Sequence, residues 1–120
     1  MNDFLADRAD DAPFFFWCGC HEPYRSYTPG QGVQHDERLE AITEIPACWL
    51  QDDTFRHDLL DDAVETECFD RQVGNLPQTL EAMDKLHNTL VVCNSDNGAP
   101  FLRVKVQMFD EDFRLPLCAT

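Results

Sequence analysis

An α/β fold with a few mainly parallel strands and one long crossover helix is predicted by three features of the sequence. Phe14-Phe15-Phe16-Trp17-Cys18-Gly19 is a continuous apolar run of strand length, the pattern of a strand covered on both faces. From Leu59 to Met83 apolar residues recur at helical spacing, the mark of a single apolar helical face. Thr89-Leu90-Val91-Val92-Cys93 is a second apolar run, and it stops at Ser95-Asp96-Asn97-Gly98. Strand, long helix and strand in succession imply a right-handed parallel crossover.

Taken in order, residues 4–10 read as the last turns of an amphipathic helix, with Pro13 marking entry into the strand expected over 14–20. Residues 21–57 are polar and punctuated by Pro23, Pro29, Gly30, Gly32 and Pro46, so they read as a long loop. A loop of that length in a compact domain is either functional or disordered. The helix is expected over 58–86, with Pro77 kinking it or splitting it into two abutting helices near Gly74. Asp58, Asp61 and Asp62 then stand at its start, where they favour the helix dipole from a solvated face. Residues 89–120 hold the second strand, a possible short strand or extended loop from Leu102 to Met108, and a last strand from Leu115 to Ala119.

The chain has 120 residues, 43% of them hydrophobic, enough for one compact domain. A formal net charge of −14 argues against a nucleic-acid partner, whose phosphates need a basic surface. The same field disfavours an anionic substrate unless His21, Arg25, Arg103, Lys105 or a bound metal overcomes it locally. Six cysteines would suit a disulfide framework in a secreted protein, but four lie in strand or helix patterns where small buried hydrophobes serve equally well. Free, mostly buried thiols are expected. Cys18-Gly19-Cys20-His21 is a weak zinc candidate, because successive residues on an extended strand point to opposite faces. No secretory or membrane segment is visible, and the 14–20 run is far too short to span a bilayer. No membrane partner is therefore expected, and the localisation stays unknown.

The corner at Ser95-Asp96-Asn97-Gly98 carries the most chemistry. Side chains that follow a buried strand point into the crevice beyond its carboxyl end, where open α/β sheets keep their sites. Asp96 offers a carboxylate, Asn97 a neutral carbonyl oxygen, and Gly98 permits a sharp turn toward one point, a combination that suits a hard cation. Asp-Asn-Gly is also an ordinary turn sequence.

Three separated segments place this corner in a wider pattern. Leu86 to Gly98, followed by Lys105 and Asp110-Glu111-Asp112-Phe113-Arg114-Leu115-Pro116, resembles the late catalytic domain of the sulfatase family. Phe14 to Tyr27 resembles that family's strand followed by His-x-Pro-His-x-Pro, and Phe69-Asp70-Arg71-Gln72-Val73-Gly74 resembles its Tyr/Phe-Asp-x-x-Val-Gly helix signature. The resemblance extends from about Phe4 to the C-terminus. It implies a partial alkaline-phosphatase-like fold, with the 21–57 loop functional and bordering the active site, Asp96 and Asn97 as later Ca2+ ligands, Lys105 contacting the sulfate, and His21 as the first histidine of the motif. An ammonium and an imidazole beside the ester could stabilise developing charge and protonate the leaving oxygen.

The family's nucleophile, a formylglycine made within Cys/Ser-x-Pro-x-Arg, has no counterpart here. The resemblance therefore implies an internal fragment of a catalytic domain: part of the calcium and sulfate pocket, inactive alone, and prone to self-association through exposed sheet edges. Tyr24 replaces the second histidine, Asp112 a glycine of the acidic turn, and Val106 the glycine after the lysine. Since a β-branched residue enters glycine-type backbone conformations only at a cost, the Lys105 loop is expected to be displaced. Two alternatives stay open: a fragment of a related phosphonate or phosphate monoester hydrolase, and a non-catalytic acidic interaction module.

Overall fold

The computed structural model describes residues 1–8, 12–35 and 39–120. Its dominant element is a single helix, α3 (Asp53–Ala82), preceded by the short helices α1 (Asn2–Ala6) and α2 (Gln31–Gln34). A two-stranded sheet of β1 (Val92–Asn94) and β2 (Leu117–Ala119) follows, with α4 (Asp110–Phe113) on the connection between the strands. Part of the first expected helix, residues 9 and 10, lies outside the described residues.

Helix α3 starts five residues before the expected position because Asp52 caps it: its carboxylate accepts the Phe55 N–H at 2.8 Å. Of the two expected outcomes, a kink or two abutting helices, the second does not occur: Pro77 lies within one continuous helix. A proline removes one backbone donor, the one that would serve the Val73 carbonyl four residues earlier, while the Thr79 hydroxyl donates to a different carbonyl, that of Asn75, at 2.8 Å. The early start also moves Asp58, Asp61 and Asp62 out of the first turn. Asp61 is only 4% exposed, which overturns its reading as part of a solvated face.

The long loop between residues 21 and 57 is held to α3 by that buried carboxylate. Asp61 accepts the Gly30 N–H at 2.7 Å and the Gly32 N–H at 2.8 Å, and Gln31 Nε2 donates to the Asp61 carbonyl and to Glu65. Gly32 allows the approach: a Cβ there would lie 2.6 Å from Leu60 Cβ and 2.8 Å from the Leu60 carbonyl carbon. Nearer the helix start, Phe55 joins Phe101 and Val104 in a core cluster, with Ile45, Trp49 and Leu59 packed around it. The rings of Trp49, Phe55 and Phe101 lie 5.2–5.4 Å apart by centroid, and each such aromatic pair contributes about 0.5–1.5 kcal/mol beyond its area burial.

The strands depart from the expected parallel arrangement. β1 and β2 are antiparallel, with Val92 opposite Ala119, Cys93 opposite Cys118 and Asn94 opposite Leu117. The chain between them folds back on itself, since the Gly98 N–H donates to Asp112 Oδ1 at 3.2 Å and so joins the start of the connection to its end. A return of that kind delivers β2 beside β1 in the opposite direction. Residues 14–20 form no strand. Phe14 and Phe16 are half-buried, with Phe4 of α1 at 6.1 and 5.1 Å by ring centroid, while Phe15 and Trp17 are 81% and 79% exposed. One face of this extended segment is covered, not two.

Residues 102–107 are turns rather than a short strand, and Arg103 and Val106 have φ of 64° and 62°. The cysteines are all free as expected, but none is buried: Cys18, Cys48 and Cys118 are exposed and the other three intermediate. They lie on the open extended segment, the long loop, the outer part of α3 and the uncovered ribbon. No helix among the described residues is long and apolar enough to cross a membrane.

Candidate functional site

Arg25 organises the region in which the sequence motifs meet. Its Nε donates to the Pro100 carbonyl at 2.9 Å, and its Nη1 donates to Asp58 Oδ1 at 3.0 Å while Nη2 pairs with Asp58 Oδ2. The guanidinium carbon also lies 5.1 Å from the Phe101 ring centroid and 5.5 Å from that of Tyr27. One side chain thus ties the segment after His21 to α3 and to the loop after the Ser95–Gly98 corner. A bidentate arginine-carboxylate pair supplies fixed geometry as well as attraction.

The loop carrying Lys105 is attached by the same core. Phe101 and Val104 are buried, and Trp49 Nε1 donates to the Leu102 carbonyl at 2.6 Å. Lys105 Nζ consequently lies 4.0 Å from the centroid of the Tyr24 ring, within the range of a cation–π contact. The Tyr24 ring thus forms a seat for the ammonium. Val106 takes a left-handed φ of 62°, the region that glycine enters freely and that costs an L-residue with a Cβ about 1–2 kcal/mol.

At the corner, the Ser95 hydroxyl donates to the Asn97 carbonyl at 2.7 Å, and Gly98 lies against Val104, Glu111 and Asp112. Asp96 is exposed and Asn97 half-buried. Their side chains offer oxygen ligands of the class calcium takes, but only two of the six to eight it prefers. Among the described residues no group of three or more His, Cys, Asp or Glu side chains is placed to hold a metal ion, the Cys18-Gly19-Cys20-His21 stretch included. Two side-chain oxygens alone fall short of the number that calcium prefers.

His21 is exposed on the extended segment and makes no hydrogen bond or ion pair among the described residues. The motif thus meets Lys105 through Tyr24 and not through His21. Arg103 turns aside, with its guanidinium carbon 4.5 Å from the Phe109 ring centroid.

A group that the sequence reading left on a solvated face lies next to Arg25. Asp62 is partly buried, its Oδ1 has no hydrogen-bond partner, and burial pushes its pKa up to about 6. The Arg25 charge opposes that rise, while Asp58 and Glu65 add to it. The Tyr27 hydroxyl is likewise buried, and its pKa is raised by burial first and then by the charges of Asp58 and Asp62, against the pull of Arg25. The spacing of Asp58, Asp61, Asp62 and Glu65 was a usable signal, because positions three and four apart share a helix face. A surface cleft of about 440 Å³ opens nearby, between Pro29, Leu50, Asp52, Phe55, Asp58 and Asp61. Its carboxylates make it a poor seat for an anion, and neither Lys105 nor Asp96 lines it.

Comparison with protein-family models, with curated proteins and with solved structures returned no match.

Proposed function

We propose that this chain is a portion of a sulfatase-type ester hydrolase of the alkaline-phosphatase-like class, contributing part of an anion pocket and part of a calcium site. The observation that supports this reading best is the seating of Lys105 on Tyr24, which joins two motif positions distant in sequence. The attachment of Arg25 to Pro100 and of Gly98 to Asp112 adds to it, because both contacts link segments singled out by the resemblance.

In this reading Lys105 binds and orients the anionic oxygens of a sulfate ester. The Tyr24 ring approaches its ammonium from one side through the π face and does not cancel its charge, so the side turned away from the ring can meet an anion. Arg25 is a positioning residue, since its guanidinium is committed to Asp58 and to the Pro100 carbonyl. Asp96 and Asn97 hold the cation, with further ligands supplied from elsewhere. Calcium, when bound, supplies positive charge that polarises the ester oxygens. His21 is the group assigned to proton transfer at the leaving oxygen, and closing onto substrate would have to bring it there.

Calorimetric titration of the purified chain tests this function. Calcium should bind no tighter than roughly millimolar, given two side-chain ligands, and binding should disappear in Asp96→Ala and weaken in Asn97→Ala. Inorganic sulfate titrated in calcium should lose its heat in Lys105→Ala. Micromolar calcium binding, or millimolar binding indifferent to Asp96→Ala, would overturn the half-site. Sulfate heat unchanged in Lys105→Ala would remove the anion pocket.

A further inference from the structure

We propose that Cys93 and Cys118 form a reversible cross-strand disulfide, making the two-stranded ribbon a redox modification site. The inference stands on strand register and is independent of the sulfatase reading. Cys93 and Cys118 are directly opposite in the antiparallel pair, so their side chains share one face of the ribbon. Val91 and Thr120 exchange both backbone hydrogen bonds, at 3.0 and 3.1 Å. Hydrogen-bonded and non-hydrogen-bonded pairs alternate along an antiparallel ladder, which makes Cys93 and Cys118 the next hydrogen-bonded pair. The Cα separation of such a pair is about 5.5 Å, inside the range a disulfide spans.

The Cβ atoms of a hydrogen-bonded pair sit at the wide end of the cross-strand range, near 5.5 Å, whereas a disulfide wants about 3.8 Å. Closure therefore requires a local pinch of the ribbon. The ribbon can give, because β2 is exposed along its whole length and no third strand pairs with either partner among the described residues. A bond closed against that resistance in an exposed ribbon is readily reduced again, which is the character of a regulatory disulfide and not of a permanent staple. Both sulfurs are reachable, Cys118 being exposed and Cys93 intermediate.

The other thiols are arranged differently. Cys20 and Cys68 lie on either side of the Gln72 amide, with Cys20 Sγ 3.8 Å from Oε1 and Cys68 Sγ 3.5 Å from Nε2. Burial also pushes the Cys20 thiol pKa up, away from the thiolate that attacks. The co-reactant is a low-molecular-weight disulfide such as oxidised glutathione. One protein thiolate attacks it, forming a mixed disulfide and expelling one glutathione thiolate. The second protein thiolate then displaces the other glutathione. One protein S–S bond forms, the glutathione S–S bond breaks, and the two glutathione thiolates take up the two protons that the cysteines lose.

The test is disulfide mapping of the full chain after equilibration with oxidised glutathione, followed by alkylation and tryptic digestion. The expected product is the peptide 86–103 joined to the peptide 115–120, with a mass lower by two hydrogens than the reduced pair and with two of the six thiols lost to a thiol reagent. Cys93→Ser and Cys118→Ser should each abolish that product equally, and reduced glutathione should reverse it. In urea the selectivity should vanish, with pairs closer in sequence such as Cys18 and Cys20 taking over. Native oxidation that joins Cys18, Cys20 or Cys68 instead, that stops at mixed disulfides, or that gives the same pattern in urea would overturn the proposal.

Discussion

Replacing Asp62 with asparagine keeps the shape of the side chain and removes a charge that the fold disfavours. In the folded chain Asp62 is raised from its ordinary 3.8 to about 6 by burial, against the pull of Arg25 and with the push of Asp58 and Glu65. The folded state therefore holds a proton that the unfolded state has released, so stability falls as pH rises through this window. The contribution is fully present below 3.8 and gone above about 6. A rise of that size corresponds to about 3 kcal/mol for a fully desolvated group, and the solvent contact that Asp62 keeps reduces it to about 1–2 kcal/mol. Asp62→Asn should accordingly raise stability by about 1–2 kcal/mol near pH 7.5 and change it little near pH 4. Urea unfolding followed by helix circular dichroism at the two pH values measures the difference. Destabilisation at the higher pH would mean that Arg25 relies on the Asp62 charge, and an equal effect at both would mean that its ionisation is not perturbed.

Three of the remaining expectations concern close contacts and strain. Gly98→Ala would place a Cβ 2.4 Å from Val104 Cγ1 and 2.9 Å from the Glu111 carbonyl oxygen, and the overpacking should cost about 2–3 kcal/mol in the same unfolding assay. Asp61→Ala leaves the Gly30 and Gly32 amides without their carboxylate partner; a loss of about 3 kcal/mol is expected, with early proteolysis near α2. Val106→Gly relieves a left-handed φ of 62° at a side chain that is 83% exposed. The relief is about 1–2 kcal/mol and the added freedom of the unfolded chain takes back about 0.4–1 kcal/mol, so a small net gain in the urea midpoint should result. Finally, the purified chain should match the buffer blank with nitrophenyl sulfate, with or without calcium, because it lacks a positioned nucleophile. Turnover that co-purifies and disappears in Lys105→Ala would reveal a nucleophile outside this account.

What the sequence made legible was the part governed by local patterns. The apolar spacing from Leu59 to Met83 announced α3, and the runs after Thr89 and Leu115 announced the two strands that pair. Its failures have physical causes. A continuous apolar run such as Phe14 to Gly19 records hydrophobicity but not whether a neighbouring strand exists, and here the faces divide between Phe4 and solvent. Strand direction was inferred from the intervening helix, yet β1 pairs with the strand that follows it through a folded-back connection. Asp52 looked like any loop aspartate until the free N–H of Phe55 required an acceptor. The long loop around Gly30 and Gly32 shows no periodicity in the sequence, and its anchor, Asp61, could not be read there because it is provided by a distant turn of helix.

The charge balance around Lys105 bears on how an anion could be held on a chain of net charge −14. Arg25 is neutralised by Asp58, Arg114 pairs with Asp110, and Arg103 is turned toward Phe109. The contact of Lys105 with Tyr24 differs from these, since an aromatic face holds an ammonium without cancelling its charge. Lys105 can thus be fixed in place and still present a full positive charge. A single ammonium in so negative a field is a weak anion site, and a cation at Asp96 and Asn97 would add charge of the same sign. Each ligand would then favour the binding of the other by the same factor. In the proposed reading, calcium therefore strengthens anion binding on this surface as well as aiding the chemistry.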